Sequence, residues 1–210
     1  MIETEFWDGI AEKYAKSPIK DTAAYEYTFE RTQSYLGAED AVLELGCGTG
    51  STALRLAGSA GRIVASDISD GMLEVGRRNA AAQGVENVEF LQGDVFAPAL
   101  DGQLFDVVMV FNTLHLVRDL DAVLARCHGL LKPGGLLISK TPCLGDVGLL
   151  KRAMFRAVIP VLQLFRRAPF VSLLTSARLE TGLSGVGFDI VERVTLPSDP
   201  SRPYIVARRD

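Results

Sequence analysis

Cysteine is scarce. Cys47, Cys127 and Cys143 are the three in 210 residues, and no two form a Cys-x-x-Cys pair. That excludes a disulfide scaffold, disfavours a zinc site and fits a reducing compartment, so no metal is expected. Histidine is scarcer still, with two. No run of about 18 apolar residues occurs, which excludes a membrane-spanning helix. The first five residues, Met1-Ile2-Glu3-Thr4-Glu5, are acidic where a secretory signal would be basic and then apolar, and the chain reads as cytoplasmic. An excess of basic charge is lacking as well. With 22 Lys+Arg against 26 Asp+Glu the formal net charge is −4. That argues against a nucleic-acid protein whose whole body is the basic footprint.

What the chain does have is apolar substance, 48% of its residues, and a length that suits one domain. Phe6, Trp7, Ile10, Ala11 and Tyr14 share a face at helical spacing, predicting an amphipathic helix over 4–16 that stops at Ser17-Pro18. Tyr25, Phe29, Thr32 and Leu36 suggest a second helix ended by Gly37. Short apolar runs then predict strands at 41–45, 62–67, 88–91, 106–111 and 136–139, with two more at 188–194 and 204–207. Helices fall between them: 51–57, one from the cap Ser69 to Gly84, and one from Asp119 to Pro133-Gly134-Gly135. Alternating strands and helices point to an α/β fold with a largely parallel sheet.

One turn carries the chemistry. Glu44-Leu-Gly46-Cys47-Gly48-Thr-Gly50 joins a predicted strand to a predicted helix. Glycine there accepts positive φ and lets backbone approach a ligand closely, next to the unpaired N–H groups of a helix start. The dinucleotide fingerprint needs Gly-x-Gly-x-x-Gly. Counting from Gly46, the sixth position is Ser51. A nucleoside cofactor without phosphates fits this spacing better than a pyrophosphate.

With that turn, the chain resembles class I S-adenosylmethionine-dependent methyltransferases over about residues 40–142, with loose similarity to quinone- and lipid-modifying members. Five motifs stand in the family's order: Val42 to Gly50; Asp67-Ile68-Ser-Asp-Gly-Met72-Leu; Gly93-Asp94-Val95; Phe111-Asn112-Thr-Leu-His115; and Leu131-Lys-Pro-Gly-Gly135. The resemblance implies a Rossmann-like, seven-stranded, mostly parallel sheet with helices on both faces and one antiparallel strand near its edge. It divides the chain into an N-terminal helical cap (1–37), a cofactor-binding core (38–146), an acceptor-side helical lid (147–180) and C-terminal strands (181–210).

The resemblance also implies S-adenosyl-L-methionine as cofactor and assigns residues to it. The loop Gly46, Cys47, Gly48 and Gly50 would hold it, with no chemical role for the Cys47 thiol. Glu44 would orient the loop or the methionine end. Asp67 would accept from the ribose hydroxyls, with Ile68 and Met72 beside it. Asp94 and the Val95 N–H would pair with adenine, although an aspartate there also suits a turn. Phe111 and Asn112 would meet the methionyl part or the acceptor. Tyr14, with Trp7, would fold over the cofactor or pack into the core. His115 is the best base candidate, near the C-terminal edge of a parallel strand where open α/β sheets bind ligands; it equally suits shaping the pocket. His128 reads as a surface residue.

Charge is uneven along the chain. Residues 1–146 carry 12 basic and 21 acidic side chains, while residues 147–179 carry six basic ones and no acid. Within that stretch Leu150, Met154, Phe155, Val158, Val161, Leu162 and Phe165 fall on one broad helical face, with Pro160 expected to kink or divide the helix. Three roles fit residues 149–167: a lid over the acceptor, an interfacial helix on anionic lipid, or a dimer surface. The expected function is methyl transfer to a small, hydrophobic molecule with no nucleic-acid partner. The Asn/Asp-Pro-Pro-Tyr/Phe signature of amino-methylating enzymes is missing after the fourth strand. A nucleic-acid or protein methyltransferase and a non-catalytic cofactor-binding module are the alternatives.

Overall fold

The computed structural model describes residues 2–19, 21–196 and 198–210. Its elements run α1 (Ile2–Ala15), α2 (Thr22–Gln33), β1 (Ala41–Leu45), α3 (Ser51–Leu56), β2 (Arg62–Asp67), α4 (Asp70–Gln83) and β3 (Val88–Gln92). They continue with β4 (Phe105–Phe111), α5 (Leu120–Leu130), β5 (Leu131–Lys140), α6 (Leu149–Leu164), α7 (Ser176–Gly185), β6 (Phe188–Leu196) and β7 (Arg202–Arg209). The strands form one sheet in the order β3-β2-β1-β4-β5-β7-β6. Strands β1 to β5 are parallel to one another, and β7 runs antiparallel to both of its neighbours. Strand order reverses between β1 and β4, which opens a crevice at their C-terminal ends.

The near-continuous apolar strands are covered on both faces, as parallel strands require. On one face Leu43, Leu45, Val108 and Val110 meet Leu124 of α5 and Leu179 and Leu183 of α7. On the other, Val42, Ile63, Met109 and Ile138 meet Leu56 of α3, Leu73 of α4 and the partly buried Tyr27 and Phe29 of α2. Each fully buried leucine or isoleucine contributes about 1.5–3 kcal/mol. Helix starts are fixed by side chains read from the sequence: Ser69 Oγ accepts the Met72 N–H at 3.1 Å and Asp119 Oδ1 accepts the Ala122 N–H at 3.0 Å. Gly84, in the left-handed conformation, ends α4.

Three local expectations shift. The Pro133-Gly134-Gly135 run does not stop α5, which ends at Leu130. Pairing of β5 with β4 jumps from Leu131–Phe105 to Leu136–Val107, so residues 132–135 bulge out of the strand, with Gly134 at φ +77°. Pro160 does not divide α6, which is continuous from Leu149 to Leu164 and has no buried residue. On so exposed a helix, solvent can satisfy the carbonyl that a missing N–H leaves free. Helix α7 had no predicted counterpart. It runs across residue 180, and its buried Leu179 and Leu183 belong to the core layer beside α5.

Candidate active site at the C-terminal ends of β1, β2, β4 and β5

The loop after β1 is shaped by three positive φ angles: +65° at Gly46, +55° at Gly48 and +69° at Gly50. A Cβ at Gly46 would stand 2.3 Å from Thr113 Oγ1, and one at Gly50 would stand 2.5 Å from the Phe90 ring. Those two glycines let the loop pack against its neighbours. Gly48 differs: the nearest atom to its Cβ position is Tyr14 Cε1 at 3.8 Å. Its outer side is an open cradle roofed by one aromatic ring. The Cys47 thiol is buried and its pKa is pushed well up by desolvation, which leaves it inert.

Beneath the loop lies Glu44, 3% exposed. Its Oε2 has no hydrogen-bond partner. Burial pushes its carboxyl up to about 8, opposed by the Ala53 N–H and reinforced by the Asp67 charge. Asp67, at the end of β2, accepts the Gly48 N–H at 2.8 Å through Oδ2 and the Ser69 N–H at 2.9 Å through Oδ1. It thereby ties the loop to the cap of α4. Desolvation raises its pKa, partly offset by those N–H donors.

Helix α1 reaches this place because Asp8 Oδ1 accepts both Ser69 Oγ at 2.6 Å and the Gly71 N–H at 3.1 Å. The latch holds Tyr14 over Gly48, half exposed. Tyr14 therefore roofs the loop instead of packing into the core. Desolvation, with Asp67 and Glu44 nearby, raises its phenol pKa. Trp7 stacks edge-on against Tyr14 at 6.5 Å between centroids.

Ile68 is half-buried beyond Asp67, and Met72 is buried in the first turn of α4. Asp94 makes the turn contact its type suits, its Oδ1 accepting the Phe96 N–H at 2.9 Å, while Val95 is buried. Phe111 is buried at the end of β4, and the exposed Asn112 adopts φ +53° and donates its N–H to the Lys140 carbonyl at 2.7 Å. His115 is half-buried, and its Nδ1 has no partner. Desolvation, aided by Arg202, lowers its pKa to about 4, so the ring is uncharged at neutral pH and a weak base. His128 lies apart, beside Asp210 and Phe188.

Of the residues named from the sequence, Tyr14, Glu44, Gly48 and Asp67 are neighbours, and Phe111 is joined to Gly46 through Thr113. The sequence did not single out Thr113, against which Gly46 packs, the latch Asp8, or Lys140 at the tip of β5. A lysine closing the apolar run Leu136-Leu-Ile-Ser-Lys140 was the signal available for the last; Asp8 had none. Among the described residues, no three His, Cys, Asp or Glu side chains group as metal ligands. No helix among them is long and apolar enough to cross a membrane.

Comparison with known proteins agrees with the fold. Residues 42–135 match the family described as a methyltransferase domain. Over 111 residues the chain is 39% identical to the ubiquinone/menaquinone biosynthesis C-methyltransferase UbiE of Marinomonas sp. (strain MWYL1), across 51% of this chain and 44% of that protein. It is 39% identical over 101 residues to a demethylmenaquinone methyltransferase of Clavibacter sepedonicus, across 48% of this chain and 40% of that protein. The match thus spans less than half the length of these relatives. The solved DhpI–SAH complex has the same fold, with a TM-score of 0.73 at 23% identity, covering 99% of this chain and 95% of that one. The matched residues, 42–135, run from β1 through the glycine loop to the start of β5, so this part of the chain is similar to a methyltransferase domain.

Proposed function

We propose that the protein transfers a methyl group from S-adenosylmethionine to a small, hydrophobic acceptor. The observation that carries this reading is Glu44: a buried carboxylate with one unpartnered oxygen under a glycine cradle. Such an oxygen is costly to leave unsatisfied. An ammonium of a cofactor's methionyl end would both satisfy it and favour its ionised form. In the same reading Asp67 accepts from the ribose hydroxyls, Asp94 and the Val95 N–H face the adenine edge, and Ile68 and Met72 flank it. Phe111 and Asn112 border the methionyl end. Tyr14 roofs the cradle and excludes water.

When bound, the sulfonium supplies an activated methyl carbon. The protein's task is alignment of the acceptor and exclusion of water. His115, uncharged, lines the acceptor side and offers hydrogen bonds rather than strong general-base catalysis. The two quinone-pathway relatives support a hydrophobic acceptor.

Helix α6 belongs to the same proposal. Leu150, Met154, Val158, Val161 and Phe165 are 86%, 51%, 45%, 53% and 68% exposed, a stripe at helical spacing that faces outward. Lys151 pairs with Asp199 at one end of the helix, and Arg166 pairs with Glu5 at the other. Of the six basic residues across 147–179, Lys151, Arg166 and Arg178 pair with acids elsewhere in the chain; Arg152, Arg156 and Arg167, without an ion pair among the described residues, would meet an anionic bilayer surface from which a greasy acceptor enters.

Titration calorimetry with S-adenosylhomocysteine tests the cofactor assignment. Asp67→Ala is expected to weaken binding more than tenfold, about 1.4 kcal/mol of charge-assisted hydrogen bonding. Unchanged affinity removes Asp67 from the site. Incubation with labelled S-adenosylmethionine and a cell extract, followed by identification of the labelled product, tests the activity; cofactor binding without any labelled product favours a non-catalytic binding module.

A further inference from the structure

We propose that Lys140 anchors a subsite for an acidic oxygen, phenolate or carboxylate, on the molecule to be methylated. The proposal rests on the methyl-transfer reading for the identity of that molecule, and on the following geometry for the subsite itself.

Lys140 closes β5 and is 7% exposed. Its Nζ donates to Thr28 Oγ1 at 2.9 Å, and that hydroxyl in turn donates to the Ala24 carbonyl at 2.7 Å. Among the described residues no carboxylate forms an ion pair with it. A buried ammonium is ordinarily paired, because desolvating an uncompensated charge costs several kcal/mol. Here one neutral oxygen serves a group with three donors. The structure thus holds a cation without a counter-ion, at the end of the sheet where ligands of this fold class bind.

Strand register sets its distance from the glycine loop. Glu44 pairs with Met109 on β4, and Phe111 pairs with Lys140 on β5. Lys140 therefore lies two strand spacings from β1, about 10 Å, and shares its sheet face with Ile138, two residues earlier. Across β7 it pairs with Tyr204, which is fully buried and gives the place an apolar wall.

The surrounding charges favour an anion. Arg202, two residues before Tyr204 on β7, has no carboxylate partner among the described residues, and its charge acts on both Lys140 and His115. The opposing acid is Asp21, whose Oδ1 is occupied in capping α2 through the Ala24 N–H at 3.0 Å. Burial and Arg202, against Asp21, bring Lys140 to about 8, so it remains largely protonated at neutral pH. The next residue, Thr141, has a buried Oγ1 without a partner, and so does Nδ1 of His115, on which Arg202 also acts. A ligand oxyanion would supply what Lys140 lacks.

The test uses the full chain, with and without saturating S-adenosylhomocysteine, and two probes: 4-nitrophenol for a phenolate and benzoate for a carboxylate. Binding of 4-nitrophenolate is read as a lowered apparent pKa of its absorbance, and benzoate binding by calorimetry. At least one probe is expected to bind. Lys140→Met should weaken it at least tenfold, and Lys140→Arg should restore part of the loss. Thr28→Val, which keeps the side-chain shape and removes the orienting hydroxyl, should weaken it several-fold and keeps the test decisive if Lys140→Met fails to fold. Equal probe affinity in wild type and variants, or no binding of either probe, overturns the subsite. Binding of S-adenosylhomocysteine on the same samples reports separately on the cofactor: its absence beside Lys140-dependent probe binding would refute the methyl-transfer reading and leave the oxyanion subsite standing.

Discussion

The loop after β1 and helix α6 lie toward the same end of the sheet yet are built on opposite principles. Around the loop nearly every group is committed. Gly46 touches Thr113, Gly50 touches Phe90, Asp67 spends both oxygens on backbone N–H groups, and Asp8 latches α1 onto the cap of α4. Along α6 no residue is buried, and its ends are held by exposed ion pairs, each worth about 0–1 kcal/mol. The difference separates a place whose shape is dictated by the fold from one whose apolar surface awaits something outside it.

Substitutions sharpen this contrast, and the largest effect belongs to the loop. Gly46→Ala forces a Cβ to within 2.3 Å of Thr113 Oγ1 at a φ of +65°. It is expected to cost about 2–5 kcal/mol in urea unfolding, from left-handed strain plus overpacking, and to abolish S-adenosylhomocysteine binding in calorimetry. Full affinity in this variant would show that the loop is not a fixed cradle.

Glu44→Gln comes next and moves two quantities in opposite directions. The folded carboxyl titrates at about 8, above its ordinary 4.5. Its contribution to stability is therefore fully present below pH 4.5 and is lost as pH rises through 8. The amide that replaces it cannot ionise, so the variant should melt higher than wild type at pH 8–9 without ligand, while binding S-adenosylhomocysteine about tenfold more weakly. A variant that melts lower than wild type at pH 9 would mean that the ionised Glu44 has a partner in the unliganded fold beyond the Ala53 N–H.

The smallest effect on stability belongs to α6. Met154→Glu and Val161→Glu alter exposed side chains and should change unfolding free energy by no more than about 0.5 kcal/mol. The same variants should lose sedimentation with phosphatidylglycerol vesicles at low salt. Wild-type protein that never pellets with anionic vesicles, or that pellets equally with phosphatidylcholine, removes the membrane from the proposal. A large loss of stability in either variant would place α6 with the committed groups instead.

The same contrast governs how much could be read in advance. Strand β1 and its glycines were legible because each is a local necessity: a buried strand must be apolar, and positive φ selects glycine. The caps Ser69 and Asp119 were legible for the same reason. Asp67 was named only through the family resemblance. Helix α7 was not, because residues 176–185 offer only Leu179 and Leu183 as a buried pair, and α5 supplies the rest of the packing. The Lys132–Gly135 bulge was hidden because proline and glycine serve equally to stop a helix or to interrupt a strand. Lys140 could be seen only once β4, β7 and α2 had closed around it. The roof formed by Tyr14 depended on Asp8, a surface-looking aspartate that becomes a latch only when α4 presents Ser69 and the Gly71 N–H.

That latch has a kinetic consequence. Tyr14 stands six residues after Asp8, within the same helix, so the latch sets where its backbone lies over Gly48, while the half-exposed ring keeps its own rotamer freedom. Moving α1 itself away from the loop means breaking the hydrogen bonds from Ser69 and Gly71 to a single aspartate oxygen. In the proposed reading, an aspartate outside the cradle thereby bears on how long the cofactor stays beneath the ring, and Asp8→Ala is expected to shorten that time in stopped-flow release of S-adenosylhomocysteine.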